Sequence, residues 1–245
     1  MTSNKRLHII PALKDNYIWL LGNTQKQVVI IDPGESTPVI NYMTTHQLSP
    51  IAILLTHHHN DHIDGVIDLQ KNYDNLPVFG PDEINLPITK ISQQKTLTIG
   101  DFTFDIIAVP GHTLGHLAYY INPYLFCGDT LFSAGCGRVF EGTYTQMLNS
   151  LNKLKSLPDN TIVCPAHEYT LSNLKFATHL VPNDIDINAY YQKIAHDAIT
   201  LPTTIEIEKK VNLFFRCDDL KLQTEFKINN ELKLFEFFRT QKNNF

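Results

Sequence analysis

Short apolar runs that stop abruptly at polar residues punctuate the first two-thirds of the chain. "QVVIIDPG" (27–34) and "IAILLTH" (51–57) are rich in Ile and Val and end at a turn or a polar cluster, which predicts buried strands. "FTFDIIAVPGH" (102–112) starts in alternation and ends at Pro-Gly. "LAYYIN" and "YLFCGDT" predict a hairpin folded around Asn122-Pro123, and "NTIVCPAHE" (160–168) a further strand that runs into polar residues. Between these runs the spacing predicts helices over 36–47, 63–73 and 143–156. Strands and helices alternate, but hairpins intervene, so a mixed, layered α/β domain fits better than a doubly wound parallel sheet. Beyond position 170 the pattern changes. "TLSNLKFATHLV", "INAYYQKIAHDAI" and "NNELKLFEFFRTQK" have helical spacing, punctuated by Pro182 and Pro202. The expected organisation is a strand-rich domain over 1–170 and a small helical domain over 171–245.

Composition narrows the class. A chain of 245 residues with 43% hydrophobic and 18% charged residues is sized for one large domain, with or without an appendage. The formal net charge of -5 argues against a broad nucleic-acid surface, though not against a local basic pocket. The start, "MTSNKRLHIIPALKDNYIWLL", has an apolar run broken by His8, Pro11, Lys14 and Asp15, so no secretion leader is expected. No stretch approaches the ~20 apolar residues of a membrane helix. Cys127, Cys136, Cys164 and Cys217 are widely spaced with no C-x-x-C, which favours free thiols and a cytoplasmic protein.

"LLTHHHNDHIDG" (54–65) changes the picture most, because imidazoles and carboxylates are the ligands divalent metals take from a protein. In extended backbone after the strand, His57, His59 and Asp61 share one side and His58 faces the other. A helix starting near His62 can swing that residue back. Three more candidates stand just past the ends of apolar strands: His112 in "VPGHTLGH", Asp129 in "FCGDT" and His167 in "CPAHE". Two four-coordinate metals can share this set if Asp129 bridges. His57, His59, His112 and Asp129 then hold one, and Asp61, His62, His167 and Asp129 the other. Hard ligands with room for water favour hydrolysis over a closed structural site. Cys127 and Cys164 are read as packing residues and His116 as structural; His8, His46, His179 and His196 have no evident companions.

T-H-H-H-x-D-H at 56–62, G-H-T-x-G-H at 111–116, G-D-T at 128–130 and A-H-E at 166–168 resemble, in that order, the metallo-β-lactamase superfamily. The resemblance implies a four-layered αβ/βα sandwich with the metals at one edge. "FSAGCGRVFEG" (132–142), "HEYTLSNLKFA" (167–177), "VNLFFR" (211–216), "FRTQKNNF" (238–245) and "KDNYIW" (14–19) resemble, more narrowly, the hydroxyacylglutathione hydrolase (glyoxalase II) family. That likeness covers essentially the whole chain. It implies hydrolysis of S-(2-hydroxyacyl)glutathione thioesters, S-D-lactoylglutathione foremost, by a metal-bridging hydroxide. It also implies two divalent ions, zinc in first place with iron or manganese as alternatives, and a small-molecule substrate with neither nucleic acid nor membrane as partner. A monomer is expected.

By the same resemblance Arg138, Phe140, Tyr169, Arg239 and Lys242 bind the glutathione moiety, and Asp61 and Asp129 act catalytically. Arg239 and Lys242 are three apart on an expected helix, so they share a face; near the terminus they are read as surface cations open to salt screening. The chain departs from the family pattern at Asp64, where Gly is usual, at Phe140, where some relatives have Tyr, and at Leu213, where Pro is common. The competing readings are a persulfide dioxygenase with one iron, a metallo-β-lactamase, an RNA-processing nuclease and a catalytically inactive binding module. The complete ligand set argues against the last, and the -5 charge against the nuclease.

Overall fold

A computed structural model describes residues 5–245. The first four residues, where the N-terminal stretch read as no leader begins, lie outside the described residues. The chain forms two compact units. One comprises the described residues up to Ala108 with Gly115–Ile121 and Leu125–Gly128; the other comprises Val109–Leu114, Asn122–Tyr124 and Asp129–Phe245.

The first unit opens with a six-stranded sheet whose strands follow in chain order. β1 (Arg6–Ala12), β2 (Asn16–Gly22) and β3 (Gln27–Ile31) are antiparallel neighbours. Helix α1 (Ser36–His46) then carries the chain over to β4 (Ser49–Leu54), which is parallel to β3. Helices α2 (Asn60–Ile63) and α3 (Val66–Asn72) lead to β5 (Val78–Gly80), and β6 (Thr89–Lys90) completes the sheet. Parallel pairing needs such crossovers, because a tight turn can only reverse the chain. One face, Ile18, Leu20, Val28, Ile30, Ile53 and Leu55, packs on Val39 and Met43 of α1 and on Val66 and Leu69 of α3. The opposite face, Trp19, Leu21, Val29 and Ile31, is buried as well. Burial on both sides explains why these strands read as continuous apolar runs. β1 and β2 were not foreseen; β2 is buried at every position and shows no alternation, and β1 is only partly buried. The helix expected over 63–73 is two helices with a break at Asp64-Gly65, where the Gly65 N–H donates to the Pro33 carbonyl at 2.9 Å. Next come β7 (Thr96–Ile99), β8 (Phe102–Ala108), β9 (Leu117–Ile121) and β10 (Tyr124–Gly128), adjacent in sequence order, with Asn122-Pro123 at the β9–β10 turn as expected.

The second unit contains the small antiparallel hairpin β11 (Leu131–Phe132) and β12 (Gly135–Cys136), then α4 (Tyr144–Lys155). A capping box starts α4, Thr143 and Gln146 each satisfying the other's backbone N–H. β13 (Ile162–Pro165) pairs antiparallel with β14 (Thr203–Thr204). Helices α5 (Thr170–Leu180), α6 (Ile185–Ile194), α7 (Ile205–Val211), α8 (Leu220–Phe226) and α9 (Glu231–Asn244) complete the unit. Phe214, Phe235 and Phe238 form its aromatic centre, with Phe214 ring centroids 5.6 and 6.5 Å from the other two. The stretches read as helical from sequence correspond to α5, α6 and α9. α7 and α8 are too short for periodicity to reveal them, and β14 interrupts the helical region. No described helix is long and apolar enough to cross a membrane.

Candidate metal centre and adjoining cavity

Strand β4 ends at Leu54, and the buried His57 follows it. α2 begins at Asn60, so Asp61 already lies on a helical turn. This corrects the extended-chain alternation: His57 and His59 are placed by extended backbone, Asp61 and His62 by the helix. The ring nitrogens His57 Nε2 and His59 Nδ1 approach to 3.0 Å, and His62 Nε2 lies 3.6 Å from Asp61 Oδ2. His58 is half-buried, with its ring edge-on to His59. His116 is buried and stacks on His57 at 4.6 Å.

Sequence reasoning missed the residue that organises this loop. Asp32 is buried at the end of β3. Its Oδ1 accepts the Thr56 N–H at 2.7 Å, while its Oδ2 accepts the Thr56 hydroxyl at 2.6 Å and faces His62 Nδ1 at 3.0 Å. Donor atoms of Asp32, His57 and His62 lie within 4.8 Å of one another. The signal was present, because Asp32 ends "QVVIID" as Asp129 ends its own strand. Asn16 was missed too. Its Nδ2 donates to Asp61 Oδ2 at 3.0 Å and to the Asp61 carbonyl at 3.3 Å. Gly34 sits so close beneath that backbone that a Cβ would fall 1.8 Å from the Asp61 carbonyl oxygen. Asp64 is exposed in ordinary helical backbone (φ -64°), so the usual Gly at this position is not required by conformation.

In the second unit Asp129, His112 and His167 are all buried. Asp129 Oδ2 faces His112 Nε2 at 3.4 Å, and Oδ1 faces His167 Nε2 at 3.4 Å. His112 Nδ1 is held by the Arg138 carbonyl at 2.8 Å. His167 stacks on Tyr169 with the rings nearly parallel, centroids 4.8 Å apart. Gly111 has φ 152°, and a Cβ there would meet the Met147 backbone at 2.8 Å. Only glycine lets the chain pass that close to α4 and deliver His112.

Donor chemistry decides what these groups suit. Two ligands each about 2.0–2.1 Å from a tetrahedral ion stand roughly 3.3 Å apart, close to the 3.4 Å separations around Asp129 and too long for good hydrogen bonds. For His57, His62 and His112 the Nδ1 atom is engaged by Thr56, Asp32 and the Arg138 carbonyl, respectively. Such partners fix ring orientation around a metal. The histidine-aspartate clusters therefore fit a divalent cation. All four cysteines are buried free thiols, so the donor set is nitrogen and oxygen.

A cavity of about 350 Å³ in the second unit is lined by His112 and Asp129 together with Phe132, Cys136, Arg138, Phe140, Tyr169, Arg239 and Lys242, among others. All five residues assigned to substrate thus line one space. Arg239 is not a surface cation. It is 4% exposed, its Nη1 donates to the Cys136 carbonyl at 2.9 Å, and its Nε donates to Asn243 Oδ1 at 3.0 Å. Phe214 lies 5.2 Å below its guanidinium carbon. Lys242 is half-buried, donates to the Ser172 carbonyl at 3.1 Å and faces the rings of Phe176 and Phe245. Burial, with Arg239 nearby as the lesser cause, lowers its pKa to about 8. Phe140 is exposed at the rim, edge-on to His112. Elsewhere, His8 and His46 do have a companion, since both contact Tyr42.

The fold and the histidine-aspartate clusters define a protein of the metallo-β-lactamase superfamily, with mixed α/β sheets and a C-terminal helical region. The superfamily model matches residues 13–100 and 81–167. A crystal structure of the BLEG-1 B3 metallo-β-lactamase superposes with a TM-score of 0.67 at 29% identity, covering 86% of this chain and 99% of that one. The helical region narrows the class: residues 168–245 match the model described as hydroxyacylglutathione hydrolase C-terminus. The chain is 52% identical to the hydroxyacylglutathione hydrolase of Yersinia enterocolitica over 96% of its own length and 98% of the relative's. It is 50% identical, with the same coverage of each chain, to that of Pectobacterium carotovorum subsp. carotovorum. The chain belongs to the hydroxyacylglutathione hydrolase (glyoxalase II) family.

Proposed function

We propose that this protein hydrolyses S-(2-hydroxyacyl)glutathione thioesters, S-D-lactoylglutathione foremost, to glutathione and the free hydroxy acid. This is the second step of methylglyoxal detoxification. One observation carries the reading: cations suited to the glutathione carboxylates line the same cavity as His112 and Asp129. Two divalent ions, zinc in first place, would be held by His57, His59, His112 and Asp129 on one side and by Asp61, His62, His167 and Asp129 on the other. The bridging role of Asp129 is supported by its two oxygens, each of which faces a different imidazole at the same distance. When bound, such ions supply Lewis acidity and lower the pKa of water.

The chain's own residues do the rest. Asp61, held by Asn16, accepts a hydrogen bond from the attacking water and so aims its lone pair at the acyl carbon. A C–O bond forms as the water gives up a proton to solvent, the C–S bond breaks, and glutathione leaves as thiolate. A thiol pKa of about 8.5 makes that departure easy, so no strong general acid is required. Arg138, Arg239 and Lys242 bind the substrate carboxylates, and Tyr169 and Phe140 flank them. Arg239 keeps Nη2 without a hydrogen bond among the described residues, which leaves donors for a carboxylate. The helical domain, 171–245, is the substrate-binding part, and the protein works as a cytoplasmic monomer. Hydrolysis of S-D-lactoylglutathione, measured with metal analysis of the same sample, tests the reading. Metal-loaded protein should turn over this substrate; full metal occupancy without turnover would reopen the persulfide dioxygenase alternative.

A further inference from the structure

The segment from Asp129 to Arg138 supplies Phe132, Cys136 and Arg138 to the cavity wall, yet its own ladder is minimal. Only Leu131 with Cys136 and Phe132 with Gly135 are paired. Between them Ala134 has φ 55°, a left-handed conformation that a non-glycine residue adopts only at a cost. The hairpin must be held from outside, and side chains of the helical region hold it. Glu208 Oε2 accepts the Ala134 N–H at 2.7 Å and Asn212 Nδ2 at 2.9 Å. Its Oε1 accepts the hydroxyls of Ser133 and Thr203, each at 2.9 Å. Asn212 Nδ2 also donates to the carbonyls of Phe132 and Gly135, and Asn173 Nδ2 to that of Ser133.

Glu208 is 0% exposed and does not line the cavity. A carboxylate so buried is tolerated only with its acceptor sites filled. Burial pushes its pKa up, and its four donors pull it back. The hairpin leads directly to the Cys136 carbonyl that anchors Arg239, and then to the Arg138 carbonyl that orients His112.

We infer that Glu208 is a specificity-determining positioning residue: through the 131–136 hairpin it fixes the anchor of Arg239 and thereby the cavity's affinity for the glutathione moiety. This rests on the substrate reading above. What Glu208 supplies is acceptor geometry. Ala134 N–H and Asn212 Nδ2 can only donate, whereas the Ser133 and Thr203 hydroxyls can turn. A glutamine at 208 can therefore place its oxygen on Ala134 and Asn212 and donate to the two hydroxyl oxygens. An aspartate keeps the charge but falls one methylene short.

The test compares Glu208→Gln, Glu208→Asp and Glu208→Ala. KM and kcat are measured for S-D-lactoylglutathione and for a small thioester without the glutamyl and glycyl carboxylates. Glu208→Asp and Glu208→Ala should raise KM for the glutathione ester by about tenfold, the scale of one lost charge-assisted contact, with little change on the small thioester. Glu208→Gln should stay within about twofold of wild type because the same obligate donors are satisfied. If Glu208→Ala does not fold, the aspartate and glutamine variants decide. Unchanged KM in Glu208→Asp, or a glutamine variant as weak as the aspartate one, would overturn the inference. Amide exchange at Ala134 reads the same constraint without substrate. It should quicken in Glu208→Asp and not in Glu208→Gln, and equal protection in all three proteins would overturn the inference even if the substrate reading itself were wrong.

Discussion

Asp129 carries more of the proposed chemistry than any other side chain, since one carboxylate serves two ligand sets. Asp129→Ala should therefore lower metal content at both sites, far below a His58→Ala control whose imidazole is outside the proposed set. Metal analysis decides it: two ions per chain retained in the Asp129 variant would refute the bridge. Lys242 gives a residue-scale prediction with a sign. Its pKa, lowered to about 8 by burial, means that the ammonium is charged below that pH and neutral above it. KM for the glutathione ester should therefore rise as pH increases through about 8, and Lys242→Arg should remove that rise because guanidinium does not titrate there. A KM rise of the same size in Lys242→Arg would assign it to another group. Salt should screen the half-buried Lys242 more than the buried Arg239.

At the scale of elements, α9 presents Arg239 and Lys242 to the cavity from one face, three residues apart. Both contacts are remote from the scissile carbonyl. Equal strength in ground and transition states puts their effect in KM more than in kcat. An Arg239→Ala/Lys242→Ala double variant should keep its metal and lose most of the preference for the glutathione ester over a small thioester. A charge-assisted hydrogen bond contributes about 1.5–3 kcal/mol, so each loss should raise KM by about one to two orders of magnitude. Undiminished preference would remove α9 from the substrate site.

On the scale of the whole molecule, the proposed ligands come from loops distant in sequence, so cations should bind the folded chain and not the unfolded one. Ions at 100 times their Kd stabilise by about 2.7 kcal/mol, which in a chain of this size shifts Tm by roughly 5–10 °C. Chelation should lower Tm by that order, and zinc should restore it; an unchanged Tm would argue that the clusters bind no metal. The sequence by itself determined the family, the seven candidate ligands and most elements, because metal chemistry needs particular residue types at fixed local spacing and buried strands need apolar runs. It did not yield β2, whose pattern shows no alternation, nor α7 and α8, which are too short for a period. It placed Arg239 near the surface, because spacing shows which residues share a helix face and not what packs on it. Tertiary structure alone decided that Arg239 is buried against Phe214 and Cys136, that Asp32 orients His62, and that Glu208 holds the Asp129–Arg138 loop. Each is a contact between residues more than twenty positions apart, where local pattern carries no signal and only packing and the need to satisfy buried polar groups select the partner.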